Sequence, residues 1–215
     1  MEKTQIREET AMFFKRIQLA NNPFSKTLTR VVLAAFLFST ACTSGGDPVA
    51  DRKRFNDLRS VSTELSMEDA IKMIRSYDYF DVLNNRGGKG IKNVFELLPG
   101  DSVVHDSTTQ LFWQQSGSDR SMSFEKSLAY IDSLNVVGYA DSSDWRLPTL
   151  EEAMSLMELV QNEAGLFVDP IFNKTQQRIW TADKQSASYA WVVDFCYGSC
   201  AYHSVSFNIF VRAVR

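Results

Sequence analysis

The chain holds only two histidines, His105 and His203, and three cysteines, Cys42, Cys196 and Cys200, in 215 residues. That supply leaves little for a metal centre, because a Cys-x3-Cys pair needs further ligands and two histidines are all that could add to it. No metal and no other cofactor is expected. No apolar run approaches the roughly 20 residues that cross a bilayer as a helix. No basic run appears after Arg59, which disfavours nucleic acid and other polyanions as partners. The glycine loop Asn84 to Gly90 lacks the Gly-Lys-Ser/Thr ending of a phosphate-binding loop, and no strand leads into it. It reads as a turn. No internal repeat recurs at a fixed period.

What is present begins with an export signal. Val31 to Phe38 (VVLAAFLF) is an eight-residue apolar run with Lys26 and Arg30 just upstream. Its length fits the core of a secretory signal. Ser39, Thr40 and Ala41 then precede Cys42, an ending that resembles a bacterial lipoprotein signal, in which the cysteine is lipidated and becomes the new N-terminus. Ser39 stands where that pattern favours Leu, and the polar lead is long, so Met12 is a second possible start. The alternatives are an ordinary secretory signal or a buried helix. Removing residues 1–41 takes the basic count from 23 to 17 and the acidic count from 26 to 23, a net near −6. The expected division is signal 1–41, tether 42–65, a helical and strand extension 66–102, and a main domain 103–215. The expected location is the bacterial cell envelope, with the membrane reached through a lipid on Cys42.

With Cys42 lipidated, Cys196 and Cys200 remain as an even pair in an oxidising compartment. They flank Tyr197-Gly198-Ser199, a candidate three-residue hairpin loop. Residues opposed across such a turn approach closely enough for a disulfide, whose role would be to fix the hairpin tip. Two free thiols are the equal alternative.

The turn at Asp144-Trp145-Arg146-Leu147-Pro148-Thr149 is the clearest local signal. Pro148 fixes its own φ and pushes Leu147 to an extended conformation. Thr149 caps a helix, and Glu152 completes a capping box. Leu150, Ala153, Met154, Met157 and Val160 give that helix a buried face. Arg146 is expected to brace the turn, while Glu151 and Glu152 favour the helix N-terminus. A helix from Ser123 carries Phe124, Leu128, Ile131 and Leu134 at helical spacing, and Ser66 caps an earlier one. Strands are expected at 94–98, 102–105, 111–115, 178–181, 190–195, 201–203 and 207–214. Short strands with few helices and no βαβ alternation predict an α+β fold.

These motifs carry a resemblance. Asp106, Thr109, Leu111 and Trp113-Gln114; Asp144 to Thr149 with Glu151; Ile179-Trp180-Thr181; Ala190 to Val193; and Val211-Arg212-Ala213-Val214-Arg215 occur in the order found in the Legionella collagen-like protein C-terminal domain family. The match covers about residues 103–215, and residues 60–100 resemble an extension of exported members. The Arg-Leu-Pro-Thr turn and the Val-Arg-x-Val-Arg ending are also similar to the formylglycine-generating enzyme family. That likeness implies a C-type-lectin-like domain with two helices packed on a twisted antiparallel sheet. Fold does not carry function with it. The calcium-ligand triplets of calcium-dependent lectins are absent, as is the wider cysteine spacing of the enzyme family.

Four tryptophans, Trp113, Trp145, Trp180 and Trp191, are read chiefly as core, with Trp113 the exception that could stack on a sugar. Arg212 is expected to brace the core edge. Tyr197, Tyr202, His203 and Asn208 cluster in sequence near the hairpin and suit a glycan or peptide. Cys200 and His203 would point to opposite faces of a strand, which disfavours a nucleophile pair. The expectation is a non-catalytic, envelope-anchored module binding a glycan or a protein. An envelope enzyme or redox protein using Cys196 and Cys200, and a structural or assembly lipoprotein, are the alternatives.

Overall fold

The structure is a computed structural model that describes residues 58–100 and 102–215. The signal, Met12, the lipidation candidate Cys42 and the tether up to residue 57 lie outside the described residues. The fold is α+β, with two three-stranded antiparallel sheets and three α-helices among the described residues.

Helix α1 (Met67–Ser76) starts where Ser66 accepts the Asp69 amide, with Glu68 and Asp69 in its first turn. Ala70, Met73 and Ile74 form its buried stripe. The first sheet is a meander of β1 (Phe95–Leu97), β2 (Val103–Asp106) and β3 (Leu111–Gln114). The expected boundary at 102/103 therefore falls inside a sheet, since β1 pairs with β2. Asp106 shapes the β2–β3 turn by accepting the Thr108 amide at 2.9 Å and the Thr109 hydroxyl at 2.6 Å.

Helix α2 (Phe124–Val137) begins at the Ser123 cap and stops at Gly138, whose φ of 64° is the left-handed conformation that glycine adopts without strain. Its buried stripe is Phe124, Ser127, Ile131 and Leu134. Leu128, expected inside, is 47% exposed, because Ser127 fills the inward position and rotates Leu128 to the flank. Helix α3 (Leu150–Ser155) carries the expected capping box between Thr149 and Glu152. It is shorter than the apolar spacing implied. Met157 is buried beyond its end, and Val160 is 77% exposed.

The second sheet joins β4 (Arg178–Ser186), β5 (Tyr189–Asp194) and β6 (Ser199–Ser204) in that order. It separates two apolar clusters. Trp191 and Val193 of β5 enter one, with α1 and α3; Ala190 and Val192 enter the other, with α2. Alternate side chains of one strand therefore feed both cores.

The last expected strand, 207–214, is not a strand. Its residues form isolated bridges, Met122 with Ile209, Ile179 with Phe210, and both Trp113 and Arg146 with Val214. The Gln114 amide donates to the Ala213 carbonyl at 2.9 Å and the Trp180 amide to the Phe210 carbonyl at 3.0 Å. The segment thus ties the first sheet to the second and to the proline turn. It alternates too little with any one partner to register as a ladder.

Residues 58–65, expected to be loose tether, are docked. Lys184 donates its amide to the Thr63 carbonyl at 3.1 Å, and the Leu65 amide donates to the Lys184 carbonyl at 2.8 Å. The Trp191 indole donates to the Leu65 carbonyl at 3.0 Å. The Arg59 guanidinium grips Asp183 with two bonds of 2.7 Å.

Candidate functional site

The proline turn is a brace. Arg146 donates to both oxygens of Glu152, at 2.7 and 2.6 Å, while Glu152 accepts the Thr149 amide at 2.9 Å. Pro148 offers its carbonyl to the Ala182 amide at 2.7 Å, fastening the turn to β4. Glu151 serves the docked segment instead, accepting the Arg59 amide at 2.9 Å. The side chains of Arg146, Thr149 and Glu152 are thus committed to one another and to the docked segment.

All four tryptophans are buried, Trp113 and Trp180 and Trp191 fully and Trp145 to 2% exposure. The reading of Trp113 as a surface platform is thereby overturned. Its strand lies between β2 and the terminal segment, paired with Val104 on one side and bridged to Val214 on the other, so the ring is covered. Trp145 and Trp180 donate their indole N–H groups to the carbonyls of Tyr139 and Met122.

The residues near the hairpin do not converge. Tyr202 and His203 are adjacent in β6 and project to opposite faces. Tyr202 lies edge-on to Trp191 and Tyr189, at 5.6 and 5.7 Å. His203 packs against Phe207 at 5.6 Å, and burial pushes its pKa down, with Arg178 adding to the effect. Tyr197 faces Arg178 at 5.6 Å.

Cys196 and Cys200 are free thiols here. The tip is fixed by Asp194, whose carboxylate accepts the amides of Cys196 and Tyr197 at 2.9 and 3.0 Å. Cys200 is instead turned into the core, where its amide donates to Asp81 at 3.0 Å. Burial, with the Asp81 charge adding to it, pushes the Cys200 thiol well up, which is the reverse of an activated cysteine.

Asn208 lies elsewhere, in a groove of about 810 Å³ between the 118–122 segment and one flank of α2. Asp119, Arg120, Lys126 and Tyr130 share this groove with it. The segment is held from behind. Gly117 has a φ of 67°, and a Cβ there would meet the Val211 carbonyl at 2.6 Å. The Ser118 hydroxyl accepts the Val211 amide at 3.0 Å and donates to the Arg120 carbonyl at 3.0 Å. Arg212, 1% exposed, donates to the carbonyls of Gln114, Gln115 and Asn173 at 3.2, 2.6 and 3.1 Å, and to the Gln176 side chain at 3.3 Å. Desolvation pushes its guanidinium down to about 9, still charged at neutral pH. Arg212 is thus a central brace of the groove's back wall and not a core-edge group.

Among the described residues, no three His, Cys, Asp or Glu side chains stand close enough to hold a metal ion. No helix there is long and apolar enough to cross a membrane. Sequence reading missed Asp119, Arg120 and Tyr130; the run Ser116 to Ser123, rich in serine with a charged pair, was the available signal.

No curated protein matches the chain. A family model, that of the Lcl C-terminal domain, matches residues 102–215, in agreement with the five ordered motifs, and the chain therefore belongs to the Lcl C-terminal domain family.

Proposed function

We propose that the chain is a non-catalytic recognition module of the bacterial cell envelope, anchored through a lipid on Cys42. Its C-type-lectin-like domain binds a glycan in the groove beside α2. The observation that carries the glycan reading is the groove itself. It is large enough for one or two sugar rings and combines an aromatic hydroxyl, an amide and charges of both signs. Oriented polar groups around a concave surface suit hydroxyl-rich ligands. The buried thiol of Cys200, whose pKa burial pushes well up, speaks against a redox role for the cysteine pair.

A glycan array probed with the full chain in detergent tests the reading. Arg120→Ala with Asn208→Ala is expected to weaken any hit at least about fivefold, roughly one hydrogen bond's worth. Binding that ignores both substitutions, or no glycan bound at high micromolar protein, sinks it. Metabolic labelling with a lipid precursor tests the anchor. Wild type is expected to take up label and Cys42→Ala to take up none; equal labelling refutes the assignment.

The assembly-lipoprotein reading has one feature in its favour. Val136 and Val137, at the end of α2, are 85% and 73% exposed and adjacent. Cross-linking in cells separates a protein partner from a sugar.

A further inference from the structure

The groove floor has a polarity that can be worked out from its hydrogen bonds. Gln114 is 2% exposed and stands behind Tyr130. Its side-chain oxygen accepts from the Ala213 amide at 3.4 Å, a group that can only donate. The nitrogen is therefore the end turned to Tyr130, and it donates to the phenolic oxygen at 2.7 Å. That bond occupies an oxygen lone pair. The hydroxyl proton must point away from Gln114, and no acceptor among the described residues takes it. Tyr130 lines the groove and keeps that donor uncommitted. Burial pushes its pKa up, so the proton stays in place across the neutral range.

The rest of the lining narrows what that donor meets. Asp119 supplies a carboxylate acceptor, and Asn208 both a donor and an acceptor. Met122 and Ala129 add a small apolar surface to the lining. Arg120 and Lys126 face the same space, so one acid partly offsets two bases. The complement is a compact group carrying a carbonyl acceptor, an N–H donor and a methyl. An acetamido substituent on a sugar ring has all three. A plain hydroxyl lacks the methyl, and a free amine lacks the carbonyl.

We infer that the groove selects N-acetylated amino sugars, with the Tyr130 hydroxyl donating to the acetamido carbonyl, Asp119 accepting its N–H, and Met122 and Ala129 receiving its methyl. This rests on the groove being the ligand site proposed above. Gln114 acts as a positioning residue, fixing which way the Tyr130 proton points.

Calorimetry of the full chain in detergent with three trisaccharides tests the inference. Triacetylchitotriose carries the acetamido group, its fully deacetylated counterpart carries an amine, and cellotriose carries a hydroxyl. The acetylated sugar is expected to bind at least about tenfold more tightly than either of the others, the equivalent of about one well-made hydrogen bond. Tyr130→Phe, which keeps the ring but leaves the buried Gln114 amide without its acceptor, is expected to lower that affinity about tenfold when measured well below its somewhat reduced melting temperature. Equal binding of cellotriose, or a Tyr130→Phe chain that binds triacetylchitotriose as well as wild type, overturns the inference. If a glycan lacking acetamido groups binds and the Arg120 and Asn208 variants lose it, the inference fails while the glycan reading stands. If no saccharide binds and a protein is the ligand, both fail.

Discussion

Replacing Arg212 with alanine is expected to destabilise the domain by about 3–5 kcal/mol, the range for stripping a buried charged group of its partners. The guanidinium is 1% exposed and makes four hydrogen bonds, three of them to backbone carbonyls. Alanine leaves those oxygens in a space that water does not easily reach, and an unsatisfied buried acceptor keeps its full desolvation penalty. It also removes the stack on Phe172, where the guanidinium carbon lies 4.5 Å from the ring centre. Lysine would not rescue the site, because a single ammonium cannot reach acceptors fanned over both sides of a planar fork. The melting temperature should fall on the order of 10 °C for a domain of this size. A thermal melt and a urea titration check it; a loss under about 1 kcal/mol would show that the brace is dispensable.

The second large effect is expected at Asp183. This carboxylate is fully buried and receives four donors, each at 2.7 Å: both terminal nitrogens of Arg59, the Thr63 amide and the Leu150 amide. It thereby joins the docked 58–65 segment to the first turn of α3. Asp183→Ala leaves two amides unpaired and strips Arg59 of its nearer carboxylate, with only Glu151 at 3.5 Å remaining, a loss of about 2–4 kcal/mol. The segment should then detach locally before the rest unfolds. Trypsin reports this directly, since Arg59 is itself a cleavage site guarded by the contact. Cutting after Arg59 is expected to accelerate at least about tenfold in the variant, on the scale of 1.4 kcal/mol per tenfold. Unchanged cleavage and an unchanged melt would mean that the segment is held without Asp183.

The parts legible in the sequence were those decided locally. Ser66 and Thr149 each cap the helix they were expected to cap, and the helix expected from Ser123 starts there, because helix starts depend on residues within one turn. The hairpin of β5 and β6 was likewise legible from alternation around Gly198. What escaped were pairings between distant residues. The register of Trp113 with Val104 and Val214 decides its burial, and nothing near Trp113 in the chain announces either partner. The contact of Arg59 with Asp183 spans 124 positions. The groove was missed for the same reason, since Asn208 meets Tyr130 and Arg120 only after the fold has closed.

The bridges of residues 209–214 bear on when the protein can acquire its shape. Val214 reaches back to Trp113, and Ile209 to Met122, so the seam between the two sheets is made by residues far apart along the chain. Loop closure over such separations is slow relative to local contacts. Helices and hairpins can form early from neighbouring residues, yet the stitch that joins them waits until partners distant in sequence have met. Joining the two halves is therefore expected to set the pace of folding, with each hairpin closing well before the whole domain becomes rigid.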